Sequence, residues 1–156
     1  MARGDYGHLT LWIIGGNKKL GGRMINISSQ HAWDMLKQDP DAVLLDVRSM
    51  VEWAYVGVPD LSSLHKDVVT IEWSKMTGQP NAAFSKQLED AVPKDKKLLV
   101  ICRAGIRSHA ACQAAAQLGY AEIYNIEDGF DGQLDDNRQR KSVSGWCASG
   151  LPWIQD

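Results

Sequence analysis

The stretch Leu98–Leu118 constrains this chain more than any other. Leu98, Leu99, Val100 and Ile101 form a short continuous apolar run, the pattern of a strand covered on both faces. The run ends in Cys102-Arg103-Ala104-Gly105-Ile106-Arg107-Ser108, and an Ala-rich stretch of strong helix propensity continues to Leu118. A thiol at the carboxyl end of such a strand, facing a helix N-terminus, stands where open α/β sheets place their ligands.

Charge sharpens the point. From Leu98 to Ala121 there is no Asp or Glu, yet Arg103 and Arg107 fall in the loop and the first helical turn. Cations at a helix N-terminus oppose the macrodipole by about 0.3–1 kcal/mol each, so fold stability gives little reason for them. A bound anion would, because loop N–H groups, helix dipole and guanidinium converge on it. The same field is expected to lower the Cys102 pKa and raise its thiolate fraction. The alternative is a buried structural Cys with solvent-facing arginines.

A chain of 156 residues fits one domain, or one domain with tails. Its net charge of −2 argues against a general nucleic-acid binder. The three cysteines form neither a disulfide framework nor a CxxC metal pattern, and a reducing cytoplasm is the simpler setting. Leu9–Ile14 is apolar but too short to span a membrane. Gly15–Gly22 reads as a flexible linker. Residues 1–23 are therefore expected to be a leader, linker or appended extension, and residues 24–156 the folded domain.

Along that domain, Ile25 and Ile27 read as a short edge strand. Ser28 or Ser29 can cap a helix to about Gln38, with Ala32, Trp33 and Leu36 on one face. Val43-Leu44-Leu45 is a second buried strand, with Asp46-Val47-Arg48 at its carboxyl end. Ser49 and Glu52 have capping-box spacing for a short helix closing near Gly57, and Glu52 is read as serving that cap. Val69, Ile71 and Trp73 alternate as a strand, Lys75–Pro80 is a loop, and Asn81 is read as capping a helix that carries Phe84, Leu88 and Ala91. After Cys102, Ala110, Ala111, Ala114, Ala115 and Leu118 are expected to face the core. Ile123, Tyr124 and Ile126 form another strand, residues 133–142 a solvated polar loop, and Trp146, Leu151 and Trp153 pack the tail back. Strands alternating with helices predict an α/β fold, a parallel sheet with helices on both faces.

Three of these regions, in consistent order over about 25–154, resemble the single-domain rhodaneses. Leu44-Leu45-Asp46-Val47-Arg48 is similar to that family's early D-x-R strand end. Cys102–Ser108 resembles its active-site loop, and Glu127-Asp128-Gly129-Phe130 its later EGG-type motif. Two departures stand out. Gly57-Val58-Pro59-Asp60-Leu61 lacks the His of the family's G-H-I-P-G-A segment, which bears on the entrance loop. Asp128 replaces the first Gly of the late motif, where a left-handed backbone is expected.

The resemblance implies a rhodanese-like fold, with a central parallel sheet of about five strands. It also implies a thiosulfate sulfurtransferase that moves sulfane sulfur through a Cys102 persulfide. Thiosulfate or a related small-molecule donor loads the thiol, and cyanide or a thiol, a thiophilic acceptor, unloads it. Backbone N–H groups from Arg103 through Ala104, Gly105 and Ile106 to Ser108 would cradle the persulfide. Arg107 would add charge, and Arg103 would bind the anionic donor at the mouth. Asp46 and Arg48 are read as holding the loop, His109 as a first-turn polar residue, and Cys112 and Cys147 as bystanders. No metal, organic cofactor, membrane or nucleic acid is implied. A persulfide carrier or docking module for a protein partner is the main alternative. Cysteine phosphatase or arsenate reductase is disfavoured, because only Arg103, Ala104, Gly105 and Ile106 separate Cys102 from Arg107, a ring one residue smaller than theirs.

Overall fold

In the computed structural model, which describes residues 12–13 and 23–156, five strands lie side by side in parallel. In chain order the elements are β1 (Trp12–Ile13), β2 (Arg23–Ile27), α1 (Ser29–Gln38), β3 (Ala42–Asp46), α2 (Met50–Tyr55) and β4 (Val58–Pro59). They continue with β5 (Val69–Thr70), α3 (Phe84–Ala91), β6 (Lys97–Ile101), α4 (Ile106–Gln117), β7 (Glu122–Ile126) and β8 (Trp153–Ile154). The main sheet has the order β1-β2-β7-β6-β3-β5, with β1 antiparallel on the edge and all other pairs parallel. β4 and β8 make a separate antiparallel pair. Of the segment expected to be a leader, Trp12–Ile13 pairs with Met24 and Arg23, and Arg23 opens β2. The rest of that expectation lies outside the described residues.

The apolar run of β6 is continuous because the strand is central and covered twice. Leu98, Val100 and Cys102 face one core with Phe84, Leu88, Ala111, Cys112 and Ala115 of α3 and α4. Leu99 and Ile101 face the other, with Ala32 and Leu36 of α1 and with Phe130, Trp146 and Leu151. Each fully buried Leu or Ile contributes roughly 1.5–3 kcal/mol relative to exposure. A one-residue slip would exchange the two sets.

Local signals in the sequence act as read at α1 and α2. Ser28 accepts the His31 N–H, and Ser49 with Glu52 closes a reciprocal capping box. Elsewhere tertiary packing moved the boundaries. β5 stops at Thr70, although Ile71 and Trp73 still donate N–H bonds to Asp46 and Val47. Asn81 does not cap α3; its Oδ1 takes the Ala83 N–H one turn earlier, and α3 begins at Phe84 without a side-chain cap. Ala91 is exposed, and Val92 fills the core position instead. On α4 the buried set is Ser108, Ala111, Cys112, Ala115 and Ala116, so Ala110 and Ala114 sit only at the core's margin.

Candidate active site

The turn between β6 and α4 places Cys102 at the carboxyl end of the central strand. α4 starts at Ile106 with Gly105 as its N-cap in the left-handed region (φ 100°) and no side-chain cap. The first-turn N–H groups of a helix have no intrahelical carbonyl, so here they are free for an anion. The Gly105 N–H already donates to Cys102 Sγ at 3.1 Å, and the thiol donates to Ser108 Oγ at 3.2 Å. On ionisation that hydroxyl can turn and donate to sulfur instead. Cys102 and Ser108 are buried, whereas Arg103 and Ile106 are exposed.

A second loop braces this one. Phe130 N–H donates to the Cys102 carbonyl at 2.8 Å, and the N–H groups of Asp131 and Gly132 to the Arg103 carbonyl at 3.1 and 3.2 Å. A Cβ on Gly105 would stand 2.4 Å from the Glu127 carbonyl oxygen, and one on Gly129 (φ 68°) 2.3 Å from that of Arg103. The late motif is thus the floor of the cysteine loop. Its left-handed residue is Gly129, and Asp128 is not left-handed, contrary to the sequence-based expectation. Asp128 uses its carboxylate instead. Oδ1 accepts from the Ser29 N–H (2.9 Å) and hydroxyl (2.8 Å), and Oδ2 from the Gly145 N–H (3.2 Å). Burial pushes this carboxyl's pKa up, against those donors.

Asp46 and Arg48 pair at the end of β3. Both side chains are fully buried, with Arg48 Nη2 2.7 Å from Asp46 Oδ2 and 2.7 Å from the Gly57 carbonyl oxygen. The guanidinium lies 4.2 Å over the Phe130 ring. The segment Gly57–Leu61, where the family His is missing, supplies β4 and a buried Leu61, and it does not line the cavity described next.

A cavity of about 370 Å³ opens beside the cysteine loop, lined by Glu52, Lys75, Met76, Arg103 and Arg107 among others. Cys102 is not a lining residue; its thiol is buried in the loop whose two arginines are. Arg107 does not stand as an uncompensated charge. Its Nη1 and Nη2 donate to Glu52 Oε1 and Oε2 at 2.6 and 2.9 Å. Burial pushes the Glu52 carboxyl up, but the bonds from Arg107 and Ser49 overcome it and hold the pKa at about 2. Glu52 is the helix cap that the sequence indicates, but its pairing with Arg107 has no sequence signal because the capping role already accounts for it. Lys75 was missed, as one cation in an ordinary loop. The other thiols are held as neutral groups: burial pushes Cys112 well up, and Cys147 up to about 11. His109 lies near Gln113 on α4. Among the described residues there is no cluster of three or more His, Cys, Asp or Glu able to hold a metal.

A cysteine loop closing the central strand of a parallel five-stranded sheet, floored by a second glycine loop, defines the rhodanese-like class. Residues 25–156 match the family model of the STR4 middle domain, and the chain belongs to the rhodanese-like sulfurtransferase family. The crystal structure of Rv0390 from M. tuberculosis is 44% identical, with a TM-score of 0.79 over 84% of this chain and 97% of that one. An uncharacterized protein of Rickettsia conorii is 37% identical over 134 residues, 82% of this chain and 95% of the relative. A sulfurtransferase of Allochromatium vinosum is 27% identical, covering 84% of this chain and 96% of its own length.

Proposed function

We propose that the protein is a thiosulfate sulfurtransferase working through a Cys102 persulfide. One observation carries the reading: Cys102 Sγ takes the Gly105 N–H at 3.1 Å at the start of α4, beside a cavity with more cations than carboxylates among its lining residues. In the first step the thiolate attacks the outer sulfur of thiosulfate. A new S–S bond forms, the old one breaks, and sulfite leaves with the electron pair. The terminal persulfide sulfur then receives the N–H groups of the α4 first turn. In the second step cyanide or a thiolate attacks that sulfur, and Cys102 leaves as thiolate. One hard transfer is divided in two, with no metal or organic cofactor taking part. Arg103 faces the donor, and Arg107, locked by Glu52, shapes the wall. The setting proposed is cytoplasmic. No helix among the described residues is long and apolar enough to cross a membrane.

Intact mass after incubation with thiosulfate tests this. The expected result is a gain of one sulfur, removed by cyanide and absent in a folded Cys102→Ser variant. Loading that persists in that variant would falsify the nucleophile. Loading that thiols and cyanide cannot remove, but a protein acceptor can, favours the carrier reading. Cys102-dependent hydrolysis of an aryl phosphate without sulfur uptake would favour a phosphatase.

A further inference from the structure

Lys75 belongs to a segment that the cysteine loop and its flanking strands do not contain, yet it lines the same cavity as Arg103 and Arg107. The segment is a small hairpin. Ser74 and Pro80 form an antiparallel bridge, the Lys75 N–H donates to the Gln79 carbonyl at 2.8 Å, and Gly78 turns the tip at φ 86°. Its root is fixed: Asn81 N–H donates to the Trp73 carbonyl at 3.0 Å, Asn81 Nδ2 to that of Glu72 at 2.7 Å, and Trp73 packs edge-on against Phe84 at 5.0 Å. The backbone that carries Lys75 is therefore anchored in the core, although Lys75 itself is exposed.

The charges around this cavity do not cancel. Three cations, Lys75, Arg103 and Arg107, face one carboxylate, Glu52, among the described lining residues. Glu52 is engaged at both oxygens by Arg107. That leaves Lys75 and Arg103, which have no carboxylate partner among the described residues, an excess of two positive charges at the mouth. A concave wall carrying one sign of charge concentrates the opposite ion. We propose that Lys75 and Arg103 together hold the dianionic end of the sulfur donor, and that Lys75 sets the preference for dianionic over less charged donors. The inference rests on the sulfurtransfer reading for its chemistry, but the anion site itself does not depend on turnover. Lys75 takes no part in bond making; its ammonium acts on binding.

Two measurements with thiosulfate as the probe test it separately. The first is calorimetric binding to the Cys102→Ser protein, which cannot react, with and without Lys75→Glu or Lys75→Arg. The second is donor kinetics on protein that keeps Cys102. Lys75→Glu is expected to weaken binding and raise KM for thiosulfate by about tenfold or more, with kcat at saturating donor within about twofold. Lys75→Arg is expected to stay within about threefold of the parent, since the charge remains. KM for the monoanionic donor benzenethiosulfonate is expected to rise less. The proposal is overturned if thiosulfate fails to bind the Cys102→Ser parent, if Lys75→Glu leaves its affinity within about twofold, or if the loss appears in kcat alone. If thiosulfate binding depends on Lys75 but the Cys102 protein never gains sulfur, the anion site stands and the sulfurtransfer reading falls.

Discussion

Arg107 and Glu52 lie 55 positions apart, and their bidentate contact changes what each residue does. In the sequence Arg107 reads as a charge aimed at the persulfide, and Glu52 as half of a capping box. Folded, Glu52 Oε1 serves both the Ser49 N–H (3.1 Å) and Arg107, so one carboxylate ties the start of α2 to the first turn of α4. The charge that Arg107 brings near Cys102 is therefore offset by the Glu52 carboxylate. The pair also has a pH signature. Glu52 titrates at about 2 in the folded protein against an ordinary 4.5. A depressed carboxylate contributes stability that is complete above its unfolded value and is lost as pH falls through the folded one. The urea midpoint of the wild type is thus expected to drop between about pH 4.5 and pH 2, partly through this group. Glu52→Gln keeps an oxygen acceptor but not the charge. It is expected to cost about 1 kcal/mol or less at neutral pH, as the pair is partly open to solvent, and to flatten the acid limb. An unchanged acid limb would show that the pair does not contribute.

At the scale of elements, the site is a loop standing on a loop. The cysteine turn is held by N–H groups of Phe130, Asp131 and Gly132 as well as by its own Cys102 thiol, so its shape depends in part on close backbone approach. Gly105 makes one of these close approaches, to the Glu127 carbonyl, at a positive φ. Gly105→Ala is expected to cost at least about 1–2 kcal/mol from the left-handed backbone alone, and more from the contact with Glu127. It should also move the amide that faces Cys102 Sγ. The readouts are urea midpoint and persulfide loading rate, both expected to fall. A variant as stable and as fast as the wild type would mean that this turn relaxes without consequence. Asp128 belongs to the same element logic. An acid replaces the family's glycine because the left-handed residue is its neighbour Gly129, which leaves position 128 able to carry a side chain that binds the start of α1.

Across the whole molecule, Arg48 joins parts that are remote in the chain. It leaves the end of β3, pairs with Asp46, reaches the Gly57 carbonyl ahead of β4, and lies on Phe130 of the late loop. β4 in turn pairs with β8, and Trp146 Nε1 donates to the Pro152 carbonyl at 2.7 Å, which closes the tail over the α1 face of the sheet. Breaking a fully buried ion pair by removing one partner costs about 3–5 kcal/mol, because the other charge stays buried and unpaired. Arg48→Ala is expected to lose that much in urea unfolding, with the tail loosening first in hydrogen exchange. A loss under about 1 kcal/mol would mean that water reaches Asp46 and replaces the guanidinium.

The features legible in the sequence are those whose physics is local. The covered strand Leu98–Ile101, the Cys102 turn, the Ser28 and Ser49 caps and the alternation of strands with helices all act through backbone periodicity and neighbouring hydrogen bonds. Those interactions are the same in any fold that the chain adopts. The Asp46–Arg48 strand end and the late glycine motif were legible as a resemblance, but their work was not. Only the tertiary structure decided that Glu52 would meet Arg107, that Asp128 would hold the start of α1, that Arg103 would be braced through its carbonyl, and that a hairpin would bring Lys75 to the cavity. Each of these joins segments separated by tens of residues. Partners at that range are chosen by how the sheet order brings chain ends together, and no spacing within either segment encodes it.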